Sequence, residues 1–162
     1  MQGHIMDDIL NQFLNKTNEQ SKDFFLDVIP QESSEESPFT GTHVVLFFWW
    51  LLLNGLVIPR VIENVKSVTD LNSIKERGRT DLFRIMRESV GCQLHPNYLT
   101  DTGKSFAAKY YTPGGWAFYL KDLEQLYPDL ADFSTIPDTQ MQLNKILAMI
   151  DRRYSEFRLQ VK

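Results

Sequence analysis

Residues 42–58 constrain the fold more than any other part of the chain. Ten uninterrupted apolar residues, 44–53, include two tryptophans and two phenylalanines, and a polar Asn-Gly step ends the run. A membrane span needs about 20 apolar residues, and no cluster of Lys or Arg flanks this run to orient one. A helix that is apolar on every side is a buried helix in a globular domain. The run predicts a central helix at about residues 42–56; a buried strand is the alternative.

The residues at the two ends of this run fit helix termini. Thr42 is predicted to be the N-cap, because its hydroxyl can accept a hydrogen bond from a free N–H of the first turn. Gly55 suits the left-handed position just past the last turn, where a Cβ would be costly. We therefore expect a helix that begins at Thr42 and stops before Gly55.

Apolar residues recur at helical spacing in several other segments. Helices are predicted near residues 7–14, from a cap at Thr69 or Asp70 to near Gly78, from a Thr80 cap to Gly91, from a cap at Thr100 or Asp101, and from Trp116 to just before Pro128. Residues 24–29 fit either a helix or a strand. The last helix is expected to start near residues 135–137. Its apolar stripe, which should face the central helix, is Leu143, Ile146, Leu147, Ile150, Tyr154 and Phe157.

These patterns predict one all-α domain, a bundle of about six helices around residues 42–56. Residues 1–37 are expected to form an N-terminal helical extension with an acidic loop, and residues 38–162 the helical domain. A length of 162 residues with 43% hydrophobic content fits one folded domain with a sizeable core.

The net charge of the chain excludes few partners, but it argues against nucleic acid as one of them. A formal net charge of −4 is a poor fit to nucleic-acid binding, which requires a strong basic field. Cys92 is the single cysteine, so no internal disulfide can form, which is typical of a reducing compartment. Without a targeting segment, we expect a cytoplasmic protein that does not enter a membrane.

Two short motifs resemble parts of known functional sites, but each lacks residues that such a site requires. Gly103 with Lys104 and Ser105 is the end of a phosphate-binding loop, but the position five residues before Gly103 is Tyr98 rather than glycine. Cys92 and His95 have a metal-like spacing, yet a zinc site needs three or four ligands and the only other histidines are at positions 4 and 43. No cofactor, no metal and no catalytic residue is therefore expected.

Clusters of charge are the remaining candidate sites. Two acidic strips are candidate contacts for a basic partner; their members are Glu32, Glu35, Glu36, Asp122, Glu124, Asp129 and Asp132. The first strip lies in a serine-rich stretch between Pro30 and Gly41 that has little to bury. A locally basic segment carries Arg77, Arg79, Arg84 and Arg87.

Three groups of residues resemble a known family. The first is Gly41-Thr42-His43 with Asn54-Gly55-Leu56, the second is Phe106 with Tyr110-Tyr111, Tyr119-Leu120 and Asp122, and the third is Asp151-Arg152-Arg153-Tyr154 with Glu156-Phe157. Together they resemble a family of small, uncharacterised bacterial domains associated with immunity proteins of polymorphic toxin systems. The resemblance covers roughly residues 38–160. It implies an immunity protein, or antitoxin, that binds and neutralises a cognate toxin or effector protein without being an enzyme.

Two other classes of function stay open at this point. An enzyme would need His43, Cys92 and carboxylates to converge in one pocket, whereas His43 at a helix start is expected to be structural. A regulatory nucleic-acid-binding module would need the four arginines on one face, free of acidic partners. If the protein is an immunity protein, the acidic strips suit a toxin with a basic surface, such as a nuclease.

Overall fold

The computed structural model describes residues 27–28, 41–91, 93–112, 116–130 and 133–160. Within these ranges the α-helices are α1 (Thr42–Leu53), α2 (Pro59–Lys66), α3 (Arg79–Val90), α4 (Asp101–Tyr110), α5 (Tyr119–Leu126) and α6 (Gln140–Gln160). Short 3-10 helices cover Leu71–Glu76, Pro96–Tyr98 and Phe133–Thr135. The predicted all-α fold is confirmed.

Helix α1 is the buried axis of the domain, as its sequence predicts. Every residue from Val44 to Leu52 is buried. Helices α3 and α6 pack against it, as does the 3-10 helix at Phe133–Thr135. The ring of Phe47, near the middle of α1, has aromatic neighbours from two other helices and the residue after α4. Their ring centroids lie 4.8–6.3 Å from that of Phe47 and belong to Phe106, Tyr110, Tyr111 and Tyr119.

The start of α1 corrects the predicted cap. The N-cap is Gly41, in the left-handed region at φ 93°, and its carbonyl accepts from the N–H groups of Val44 and Val45. Thr42 is the first helical residue and is completely buried. A left-handed backbone at this position is open to glycine at little cost, and it brings the chain into α1 one residue earlier than the threonine pattern indicates.

The end of α1 agrees with the prediction. Gly55 has φ 67°. Its N–H donates to the carbonyl of Leu52 at 3.2 Å, and the N–H of Leu56 donates to that of Leu51 at 3.0 Å. These two bonds form a Schellman motif, which satisfies carbonyls that the last turn of a helix leaves open.

A distant carboxylate caps α3. The predicted cap, Thr80, lies inside the helix, which begins at Arg79. The backbone N–H of Arg79 donates to both carboxylate oxygens of Asp138, at 3.1 and 3.2 Å, and a negative charge is favourable at a helix N-terminus. At the other end Gly91 stops the helix with φ 81°, as predicted.

Residues 24–29, which fitted helix or strand, contain the strand β1 (Asp27–Val28). It pairs antiparallel with β2 (Gln93–Leu94), with Asp27 opposite Leu94. The other residues of 24–29 and the predicted helix near 7–14 lie outside the described residues.

Helices α5 and α6 begin later than predicted. Trp116 precedes α5 and is 36% exposed. Helix α6 starts at Gln140, where the hydroxyl of Thr139 accepts from the N–H of Gln142 at 3.2 Å. The expected start at residues 135–137 instead belongs to the end of a 3-10 helix and the turn after it. The apolar stripe of α6 does face inward, since Ile146, Ile150 and Phe157 are buried.

The N-terminus of α4 lies against the end of α1, and Gly103 makes this approach possible. The hydroxyl of Thr100 caps α4 by accepting from the N–H of Gly103 at 3.1 Å. A Cβ on Gly103 would lie 2.6 Å from the carbonyl oxygen of Leu56. Gly103 is therefore a close-contact residue in the first turn of a helix and not part of a phosphate loop.

Two glycine substitutions should separate backbone strain from steric clash. Gly55→Ala meets nothing within 4 Å, so only its left-handed backbone opposes the change, at about 1–2 kcal/mol. Gly103→Ala should destabilise the fold more, despite the better helix propensity of alanine, because the clash is with backbone that cannot rotate away. Urea unfolding of both variants measures the difference. A Gly103→Ala protein as stable as the unsubstituted chain would contradict the close approach of α4 to α1.

Candidate functional site: a buried ion pair beneath a surface groove

Three helices converge on the carboxylate of Asp122, in the first turn of α5. The hydroxyl of Tyr110, the last residue of α4, donates to Asp122 Oδ2 at 2.6 Å. From α6, Arg153 donates through Nε to Oδ2 at 2.8 Å and through Nη2 to Oδ1 at 3.0 Å. This is a bidentate pair, the strongest geometry for an arginine and a carboxylate. Asp122 is only 7% exposed, so the network is internal.

The guanidinium of Arg153 makes further contacts. Its Nη1 lies 3.0 Å from Oε1 of Glu156, one turn along α6. Its Cζ lies 6.0 Å from the ring centroid of Trp116, within the range of a cation–π interaction. The ring of Trp116 also meets that of Tyr110 edge-on, with centroids 5.9 Å apart. The network therefore holds the segment before α5 as well as the helix.

The protonation states in this network are fixed by its geometry. Burial alone would raise the pKa of Asp122, but hydrogen bonds from Arg153 and Tyr110 outweigh it, and the pKa is lowered. Burial and the hydrogen bond to Asp122 raise the pKa of Tyr110. The hydrogen bond to Asp122 raises the pKa of Arg153. At neutral pH the carboxylate and guanidinium are both charged and the phenol is neutral, which suits a structural ion pair better than a group that exchanges protons.

Two more polar contacts tie α1 to the same pair of helices. Trp50 Nε1 donates to Asp151 Oδ1 in α6 at 2.8 Å, and the hydroxyl of Tyr119 in α5 donates to the backbone carbonyl of His43 at 2.8 Å. Residues from all three motifs that carried the resemblance therefore meet in one cluster. They build the scaffold, and none of these contacts forms an open site.

The structure separates Asp122 from the predicted acidic strip. The strip was expected to present its carboxylates to a partner, whereas that of Asp122 points inward to Arg153. Glu124 is half-buried, and its Oε2 has no hydrogen-bond partner among the described residues. Asp129 is exposed. The remaining members, Glu32, Glu35, Glu36 and Asp132, lie outside the described residues. Partner binding by these other residues stays a prediction.

The residues considered for catalysis or metal binding have structural contacts where they are described. The ring of His43 is half-buried and lies 5.5 Å from that of Phe133. His95 Nδ1 accepts from the backbone N–H of Asn97 at 3.1 Å. Cys92 lies outside the described residues. In the part of the chain that the structure describes, no group of three or more His, Cys, Asp or Glu residues could hold a metal ion. No helix in that part is long and apolar enough to cross a membrane.

The four arginines do not share an acid-free face. Arg79 is 5% exposed, and its Nη2 donates to the backbone carbonyl of Ile136. Arg77 and Arg84 flank Asp81, each with a nitrogen 3.6 Å from its carboxylate. The guanidinium of Arg87 lies over the ring of Phe83 at 5.5 Å. The geometry that a nucleic-acid-binding module required is therefore not present in this segment.

A surface groove lies between α5 and α6, and the sequence patterns do not predict it. Its volume is about 440 Å³, and its lining residues are Asp122, Gln125, Leu126, Lys145, Ala148, Met149 and Arg152. Asp122 is both a lining residue of the groove and a member of the network with Arg153 and Tyr110. The signal in the sequence was Lys145 and Arg152, seven residues apart with small Ala148 between them, but only the packing of α5 beside α6 makes a groove of them.

Comparison with known families places the chain in one of them. The profile described as "Domain of unknown function (DUF7832)" matches residues 17–136, and the chain belongs to this family. No curated protein and no solved structure matches it. The description assigns the family no activity and does not connect it to toxin immunity. The comparison therefore supports membership of a family of unknown function, and its match begins and ends earlier in the chain than the predicted resemblance at residues 38–160.

Tyr110→Phe and Tyr119→Phe form a matched pair for the network. Both tyrosines are completely buried, and each variant loses one hydroxyl. Tyr110 donates to a carboxylate and Tyr119 to a neutral carbonyl, so we expect losses in unfolding free energy of about 2 and about 1 kcal/mol respectively. Urea unfolding at neutral pH measures both. Equal losses, or a larger one for Tyr119→Phe, would contradict a charged Asp122.

Asp122→Asn should be strongly destabilising at neutral pH and less so in acid. It removes the bidentate carboxylate of Arg153 and leaves the guanidinium only the single contact with Glu156, at about 3 kcal/mol. The lowered pKa of Asp122 means that its stabilisation is complete above the ordinary aspartate pKa of about 3.9. Below that pH the unfolded chain takes up the proton first, so the stabilisation declines and is lost as the pH falls through the folded-state pKa.

The measurement is the unfolding free energy of the unsubstituted protein and of Asp122→Asn, from neutral pH down to the lowest pH at which both still fold. The gap between them should be constant down to about pH 5 and narrow below about pH 4. Asp129→Asn is the control, because Asp129 is exposed and its loss should change stability by less than about 0.5 kcal/mol. A gap that widens in acid would overturn the assigned charge state.

Proposed function

We propose that this protein is a cytoplasmic immunity protein that binds a cognate bacterial toxin or effector domain and neutralises it. The observation that carries the proposal is the groove between α5 and α6, held by the bidentate pair between Asp122 and Arg153. It is a preformed, solvent-facing surface on a locked scaffold. A binding function of this kind needs no cofactor and no catalytic residue.

Rigidity supports a binding role because of what association costs. Partners lose translational and rotational freedom on binding, and any loop or side chain that must also be ordered adds to that cost. Here the two walls of the groove are joined by both oxygens of Asp122. Moving α5 relative to α6 would break a buried ion pair. The groove is therefore ready before a partner arrives.

The resemblance to immunity-protein domains adds a second line of support. The residues that carry it are the ones that build this scaffold, among them Tyr110, Tyr119, Asp122, Asp151 and Arg153. A shared scaffold with a variable outer surface is what proteins that recognise different toxins would need.

Co-expression tests the proposal. If the coding region next to this gene encodes a toxin domain, cells that express that domain should survive when this protein is also produced, and the two should co-purify. An unrelated toxin serves as the specificity control, since this protein should not rescue cells from it. Failure to rescue at matched expression, with the protein folded, would count against the immunity function.

The salt dependence of binding tests the acidic contacts separately. The proposal gives Glu32, Glu35, Glu36, Glu124, Asp129 and Asp132 to a basic toxin surface, while Asp122 stays with Arg153. Contacts of this kind speed association, and salt screens them. The association rate should fall steeply between low and high salt. Equal association rates at low and high salt would contradict the assignment of the acidic strips to the partner.

A further inference from the structure

Along most of its length, one face of α6 is not covered by any part of the chain that the structure describes. The exposed residues recur at alternating steps of four and three; they are Met141, Lys145, Ala148, Arg152, Ser155 and Leu159. Met141 and Leu159, near its two ends, are 66% and 69% exposed. They are 18 residues apart, or about 27 Å along a helix. Alternating steps of three and four are the spacing at which one helix packs along another.

The groove runs beside this face and shares residues with it. Lys145 and Arg152 line it from α6 and are two helical turns, about 10.5 Å, apart. Between them lie Ala148 and Met149, and Leu126 from α5 adds to the apolar surface. The arrangement is thus an apolar patch with a cation at each end.

Neither cation forms an ion pair within the described part of the chain, although the charge of Arg152 helps to lower the pKa of Asp122. Lys145 and Arg152 are exposed and form no ion pair there. By contrast, Arg84 on α3 lies 3.6 Å from Asp81, and Lys66 on α2 lies 3.5 Å from Glu63. Asp122, which also lines the groove, is paired with Arg153 and lies within the electrostatic reach of Arg152. With two cations and one carboxylate among its lining residues, the groove carries a net positive charge.

We propose that this groove is the docking site for a helix of the partner protein that carries two carboxylates seven residues apart and an apolar side chain between them. The carboxylates pair with Lys145 and Arg152, and the apolar side chain packs on Leu126, Ala148 and Met149. This is a helix-in-groove contact with charged ends. The inference rests on the proposed function, and it assigns an acidic element to a partner whose other contacts are basic.

The direct probe is a fluorescently labelled synthetic helical peptide with two glutamates seven residues apart around a leucine. Two peptides control for it. In one, lysines replace the glutamates; in the other, the glutamates are five residues apart and so lie on different faces. Fluorescence anisotropy should show the first peptide binding at least about tenfold more tightly than either control, because rim charges select partners.

Charge reversal on the protein completes the test. Lys145→Glu with Arg152→Glu should weaken binding of the matched peptide at least about tenfold. Arg60→Glu with Lys104→Glu changes the net charge equally at exposed sites outside the groove and should leave binding nearly unchanged. Both pairs are exposed, and unfolding curves confirm that each variant folds. No binding of the matched peptide, equal binding of the off-register one, or equal weakening by the control pair would overturn the proposal.

Rescue experiments separate this inference from the proposed function. If the unsubstituted protein rescues cells from its toxin and the Lys145→Glu, Arg152→Glu variant rescues equally well, the groove is not the docking site and the immunity function stands. If the unsubstituted protein fails to rescue although the matched peptide binds in register, the immunity function fails and the groove assignment stands.

Discussion

A helix with no polar face requires an enclosure, and this requirement organises the domain. Helix α1 has no side from which its residues can reach water, so other segments must surround it. Within the described residues, α3, α6 and a short 3-10 helix do so, and aromatic rings from α4 and α5 close around Phe47. The hydrophobic effect drives this enclosure but is not directional. It leaves open how the surrounding helices are set against one another.

Polar contacts supply that missing direction. A carboxylate taken out of water is tolerated only with well-placed partners, so Asp122 accepts few arrangements of α4, α5 and α6. In the arrangement that satisfies it, the phenol of Tyr110 and the forked guanidinium of Arg153 both donate to this carboxylate. The same condition bears on the outer surface, because Asp122 is one of the residues that line the groove. The interior thereby determines the shape of the exterior at this point.

The sequence predicts best where the physical cause is local. The apolar run gives α1, and Gly55 gives its end, because both depend on neighbouring residues. Prediction fails where the cause is distant: Asp138 caps α3 from 59 residues away, and Arg153 neutralises Asp122 across 31 residues. Local sequence presents Asp122 as one of several acidic residues near an exposed turn. The groove is missed for the same reason, since it exists only once two helices are side by side.

The position of Arg153 shows that the folded domain extends beyond the segment that the family profile matches. The family match closes at residue 136, yet α6 lies beyond it and contributes Ile146, Ile150 and Phe157 to the core. A chain cut at that boundary would keep the buried carboxylate and lose its cation, and it would open the side of α1 that α6 covers. The matched segment is therefore not a module that a gene fusion could transplant by itself.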